Sequence, residues 1–170
     1  MTAASAMVPG AAMAALKVIS RKPRALSFYN LHTGESLKTV YYENGKYLPE
    51  ALAQVNYILR DFRQNEIKPI DPKLLDLLAG IHNRLDIDAP FDVISGYRSP
   101  KTNAMLHAHS EGVAAHSLHI DGKAIDIRVP GRDLSTLHRV AISMFGGGVG
   151  YYPRSDFVHV DTGRIRYWGR

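Results

Sequence analysis

Two short stretches hold the residues whose types and spacing can do hydrolytic chemistry. Ser117 to Asp126 carries His119 and Asp126, and Asp156 to Asp161 carries His159 between two further carboxylates. Two imidazoles and one carboxylate form a donor set with which a zinc ion keeps one position open for water. Such a site leaves the ion a single net positive charge, a weaker Lewis acid than one with neutral ligands alone. A partner carboxylate must then help remove the water's proton. Asp156 and Asp161 both qualify by their nearness to His159. His116 is a rival to His119, because the two have a plausible ligand spacing.

The elements that position these groups follow from strand alternation. In Ala124 to Val129, Ile125, Ile127 and Val129 point one way and Asp126 the other. In Phe157 to Asp161, Val158 and Val160 share one face, and Phe157, His159 and Asp161 share the opposite one. Each strand thus turns an aliphatic face to a core and a ligand away from it. If the two are sheet neighbours, Asp126 and His159 meet at one metal. His119 precedes the first strand, where Gly122 lets the chain turn back.

Further strands are expected over Ala25 to Leu31, Ser36 to Tyr42 and Phe91 to Ser95. A hairpin of Val149 to Tyr152 with Phe157 to Asp161 turns at Pro153 to Ser155. Pro49 opens a helix with the apolar stripe Leu52, Val55, Ile58, Leu59 and Phe62. Asp71 and Pro72 open a second, with Leu74, Leu75, Leu78, Ile81 and Leu85. Ser99 and Pro100 start a short helix through about His107, and Asp133 caps another through Phe145. Early helices and late antiparallel strands make the fold α+β, a small antiparallel sheet with helices packed on one side. Residues 25–170 are expected to form one domain, with 1–24 as leader remnant and linker.

Arg98 follows a strand and precedes a capped helix, a rigid place for a guanidinium. Ser99 reads as a helix cap, not a nucleophile. The run Gly146 to Gly150 lacks the Lys and Ser or Thr of a phosphate cradle. Its glycines serve close backbone passage beneath the site, or room for an extended peptide. His32, His82, His107, His109 and His138 fall on helices or turns and are expected to face solvent.

The 170 residues contain no cysteine, so disulfides and thiolate metal sites are excluded and a metal must be held by nitrogen and oxygen. A net charge of +5 favours anionic partners. No RNA-binding aromatic motif, finger spacing or long basic helix is present, so nucleic acid is not expected as a partner. The small clusters Arg21 to Arg24 and Arg164 to Arg166 read as solvated surface. Residues 1–15 are small and apolar, too short to span a bilayer, and carry an Ala-x-Ala form at Ala12 to Ala14. They are expected to be the tail of an export signal, and the chain to act in the periplasm.

The order of His119, Asp126 and then Asp156 with His159 resembles the zinc peptidases related to D-alanyl-D-alanine carboxypeptidases and the VanX dipeptidase. With Ser95-Gly-Tyr-Arg98 upstream and Gly147 to Pro153 before the last histidine, the wording is similar to the YcbK-type murein endopeptidases from about Leu26 to Trp168. That resemblance implies the hedgehog/DD-peptidase-like zinc fold, with His119, Asp126 and His159 as Zn2+ ligands and His116 left to the loop or to a supporting position. It implies that Asp156, three residues before His159 where VanX-like enzymes place a glutamate, is the base, and that Arg98 binds substrate and steadies the oxyanion. Asp161, Ser117, Tyr97 and His116 are supporting or substrate-contact candidates. The implied substrate is the peptide stem or cross-link of peptidoglycan, cut by a monomeric endopeptidase. A carboxypeptidase or dipeptidase on wall peptides, or a non-catalytic hedgehog-like binding module, are the alternatives.

Overall fold

The computed structural model describes residues 22–110 and 113–169, so the expected export segment lies outside the described residues. β1 (Arg24–Asn30) and β2 (Ser36–Glu43) form an antiparallel pair, extended by the short β3 (Lys46–Tyr47). Then come α1 (Pro49–Ile58) and α2 (Pro72–Leu85). Proline stands in the first turn of each, where its missing amide costs no hydrogen bond. Asp71 caps α2 by accepting from the Lys73 amide, and Asp86 ends it in the left-handed conformation. The whole expected stripe of α2 is buried.

β4 (Phe91–Ser95) returns beside β1 in parallel, and α3 (Pro100–His109) follows directly after it. Next are β5 (Ala124–Arg128), α4 (Leu134–Ser143), and the hairpin of β6 (Gly148–Tyr152) with β7 (Phe157–Asp161). The short β8 (Arg166–Trp168) comes last. The sheet order is β3-β2-β1-β4-β5-β7-β6-β8.

This corrects the expectation of a small antiparallel sheet: among the described residues eight strands join in one mixed sheet, with β1–β4 and β6–β8 parallel. A parallel neighbour needs a long crossover, here supplied by α1 and α2. Alternation within a strand does not say which strand lies beside it. β3 and β8 have two and three residues, too few for alternation to register.

α2 and α4 pack together, and α4 lies against β6 and β7. Beneath them Ile125, Ile127, Val158 and Val160 are fully buried. Each such side chain stabilises the fold by about 1.5–3 kcal/mol. A one-residue slip would turn all four outward and Asp126 and His159 inward, so their burial fixes which face those two residues occupy. The expectation of helices on one side holds for α2 and α4. α3 instead borders the ligand face, where its Leu106 lines the cavity described next. Among the described residues no helix is long and apolar enough to cross a membrane.

Candidate active site

Asp126 at the centre of β5 pairs in register with His159 of β7 on one side and with Ser95 of β4 on the other. His119 arrives from a turn whose closing amide, Gly122, donates to the His119 carbonyl at 3.2 Å. Gly122 has φ +66°, and a Cβ there would meet the Pro69 carbonyl, so both the turn and the close passage require glycine. All three side chains are buried.

Hydrogen bonding fixes which nitrogen each imidazole offers. His119 Nδ1 donates to the Gly96 carbonyl at 2.6 Å, which leaves a lone pair on Nε2 of the neutral ring. His159 Nε2 donates to Asp161 Oδ2 at 3.0 Å, which leaves a lone pair on Nδ1. These two nitrogens face each other at 3.2 Å, and Asp126 Oδ1 lies 3.3 Å from the first and 2.8 Å from the second. Three lone-pair atoms converging without hydrogens of their own repel one another unless a cation or proton sits among them. Tetrahedral zinc with arms of about 2.0–2.1 Å separates its ligands by about 3.3 Å. The donor set fits zinc in atom type, and two of its three spacings match that figure, with the 2.8 Å pair lying closer.

Charged neighbours hold this set in place. Arg98 donates from Nη2 to Asp126 Oδ2 at 3.0 Å and from Nε to Ser95 Oγ at 3.0 Å. Burial works against the Arg98 charge, and Asp126 opposes that effect. Burial likewise pushes the His119 imidazole down. It would do the same to His159, but Asp126 and Asp161 outweigh it and raise that group. Burial alone would raise the Asp126 and Asp161 carboxyls. The imidazoles packed against Asp126, and hydrogen bonds from His159, Arg166 and two backbone amides to Asp161, hold both well below the usual carboxylate range.

Asp161 is saturated with donors: His159, both terminal nitrogens of Arg166, and the amides of Gly148 and Gly163. It lies across the His159 ring from the lone-pair cluster. Asp156 is different. Its side chain is 61% exposed and accepts from Arg128 Nη1 at 2.8 Å. It is not among the residues lining the cavity, although its neighbours Ser155 and Phe157 are.

The cavity holds about 580 Å³, with His119, Asp126 and His159 in its wall. His116 lines it too, but is exposed and outside the lone-pair cluster. Ser117 Oγ accepts from the His119 amide at 3.3 Å. Tyr97 is buried and donates to Glu66, and burial with that bond pushes its phenol up to about 12. Ser99 caps α3 as expected. His107 and His109 are exposed as expected, whereas His82 and His138 are half-buried against Phe91 and Tyr151. His32 stays exposed but lines the cavity and stacks on Phe62.

Sequence reasoning passed over several residues. Arg166, read as solvated surface, grips Asp161. Trp168 lies 5.2 Å from the His159 ring, and Tyr152 and Arg63 line the cavity. Asp61, buried, accepts from the Ser99 amide and hydroxyl with one oxygen and from the Arg63 and Gln64 amides with the other. Only the glycines hinted at part of this. Side chains added at Gly148 or Gly150 would collide with Arg166 or Trp168, and one at Gly147 with the Asp161 backbone.

Residues 18–168 match the profile of the family described as peptidoglycan L,D-endopeptidase MepK. A curated relative of that name from Escherichia coli (strain K12) is 47% identical over 164 residues, 96% of this chain and 89% of the relative. A probable peptidoglycan L,D-endopeptidase MepK from Haemophilus influenzae is 44% identical over 152 residues, 89% of this chain and 82% of the relative.

Proposed function

The chain belongs to the family of peptidoglycan L,D-endopeptidase MepK, and we propose that it is a zinc-dependent peptidase that hydrolyses peptide cross-links of bacterial peptidoglycan. The names of the relatives support the L,D cross-link as the bond cut, and a substrate in the wall supports action outside the cytoplasm after export. The observation that carries the metal assignment is the convergence of two imidazole lone pairs and one carboxylate oxygen in the wall of an open cavity.

His119, Asp126 and His159 would hold the ion, which would supply Lewis acidity for activating water and polarising the scissile carbonyl. Asp161 keeps the His159 hydrogen on Nε2, so that Nδ1 always offers its lone pair. Arg98 orients Asp126 and offers its remaining terminal nitrogen toward substrate. Asp156 takes the proton of the attacking water and returns it to the leaving amine. To do so it swings from Arg128. That pair is largely exposed, worth about 0–1 kcal/mol, and easily broken.

Purified sacculi digested with the protein should release monomeric muropeptides from dimers, identified by mass, in a reaction that a chelator stops and zinc restores. Persistence of cross-linked dimers while unrelated peptides are cut would end the cell-wall reading and leave the metal chemistry standing.

A further inference from the structure

Hydrolysis of a peptide bond needs a donor at the carbonyl oxygen, where negative charge grows as the water oxygen bonds to the carbonyl carbon. Arg98 has two of its nitrogens committed to Ser95 and Asp126. A second donor stands in the same cavity. In β6, Val149 and Tyr151 pair with Val160 and Val158 of the aliphatic face, while Gly150 and Tyr152 pair with His159 and Phe157 of the ligand face. Tyr152 lines the cavity together with Arg98, His119, Asp126 and His159.

The Tyr152 hydroxyl oxygen accepts from Trp168 Nε1 at 2.8 Å. An indole N–H only donates, so this bond uses an oxygen lone pair and leaves the phenolic hydrogen to point elsewhere. Among the described residues nothing accepts that hydrogen. The ring is held by stacking on Phe157, centroids 4.5 Å apart and planes 22° apart, so the oxygen keeps a fixed place. Trp168 reaches it because Gly150 has no side chain: a Cβ there would come within 2.6 Å of the indole. The indole itself lies beside the His159 ring, centroids 5.2 Å apart, so Trp168 links the hydroxyl to a member of the lone-pair cluster.

We propose that Tyr152 is a catalytic residue whose hydroxyl donates a hydrogen bond to the scissile carbonyl oxygen, an assignment that rests on the peptidase reading above. As the water oxygen bonds to carbon, the carbonyl π electrons move onto the oxygen that Tyr152 faces. As the C–N bond breaks, they return, and the amine departs with the proton taken from water. Tyr152 keeps its own proton throughout.

The test compares wild type and Tyr152→Phe, zinc-loaded, on a cross-linked muropeptide dimer. It measures kcat, KM, zinc content and the Ki of a phosphinate analogue, whose tetrahedral anionic centre mimics the transition state. Phe keeps the ring stacked on Phe157, so the variant retains the local packing. Expected are wild-type zinc content, a KM within about two-fold, and a kcat lower by about 10²-fold. The phosphinate should weaken by a similar factor. An unchanged kcat overturns the assignment, as does a loss carried by KM or by missing zinc. A wild-type enzyme that leaves the dimer intact removes the peptidase reading first and this inference with it. A cleaving wild type matched by Tyr152→Phe removes the inference alone.

Discussion

Asp161→Asn tests whether the buried carboxylate sets the hydrogen position on His159. Asp161 accepts from five donors: Gly148 N at 3.0 Å, Gly163 N at 2.8 Å and Arg166 Nη1 at 3.1 Å on Oδ1, with Arg166 Nη2 at 2.7 Å and His159 Nε2 at 3.0 Å on Oδ2. Asparagine has one oxygen to offer. Placed at the Oδ1 position it serves three donors, and the NH2 then faces Arg166 Nη2 and His159 Nε2. His159 regains a bond there only as acceptor, which moves its hydrogen to Nδ1. That hydrogen points at Asp126 Oδ1, 2.8 Å away, into the place a metal needs. The metal-free protein gains an internal hydrogen bond, and the zinc-loaded one loses a ligand lone pair. Supporting groups of this kind are worth about 10–100-fold in metal affinity, or about 1.4–2.7 kcal/mol. Competition with a chromophoric chelator should therefore give a zinc Kd raised by about that factor, with His159→Ala as the reference for full loss. A Kd within about two-fold of wild type would refute the tautomer argument. At saturating zinc the variant should keep most of its activity. Loss there, with Asp156→Asn active, would exchange the roles of the two carboxylates.

Asp156→Asn should retain zinc by metal analysis yet lose about 10²–10⁴-fold in kcat, the scale of a positioned general base. Chelator-stripped protein should melt at a temperature that rises with added zinc. The gain is about 2.7 kcal/mol at a hundred times Kd, and a melting curve indifferent to zinc would contradict the donor-set argument. Gly150→Ala should displace Trp168, which its Cβ would approach to 2.6 Å, at a cost of about 1–3 kcal/mol. Trp168 is the chain's single tryptophan, so a shifted fluorescence emission reports the displacement directly.

By itself the sequence determined the helices and six of the eight strands among the described residues, and the face on which Asp126 and His159 stand away from the core. These are local properties. Alternation in Ala124–Arg128 and Phe157–Asp161 separates Asp126 and His159 from the aliphatic face, because a strand's side chains repeat every two residues. Asp71, Pro72 and Ser99 mark helix starts because capping acts within one turn. What only the tertiary structure decided depends on groups far apart in the chain. Asp126 meets His159 across 33 residues, and Trp168 meets Tyr152 across 16. The parallel placement of β4 beside β1, the fit of Trp168 over Gly150 and the grip of Arg166 on Asp161 leave no periodic trace. In the sequence Asp156 and Asp161 both qualify as acids by their nearness to His159, and only resemblance favours Asp156. Folding separates them, because one is buried among five donors while the other stands in solvent beside Arg128. A carboxylate's chemistry is set by the donors around it, and those donors come from β6, β7 and β8 together.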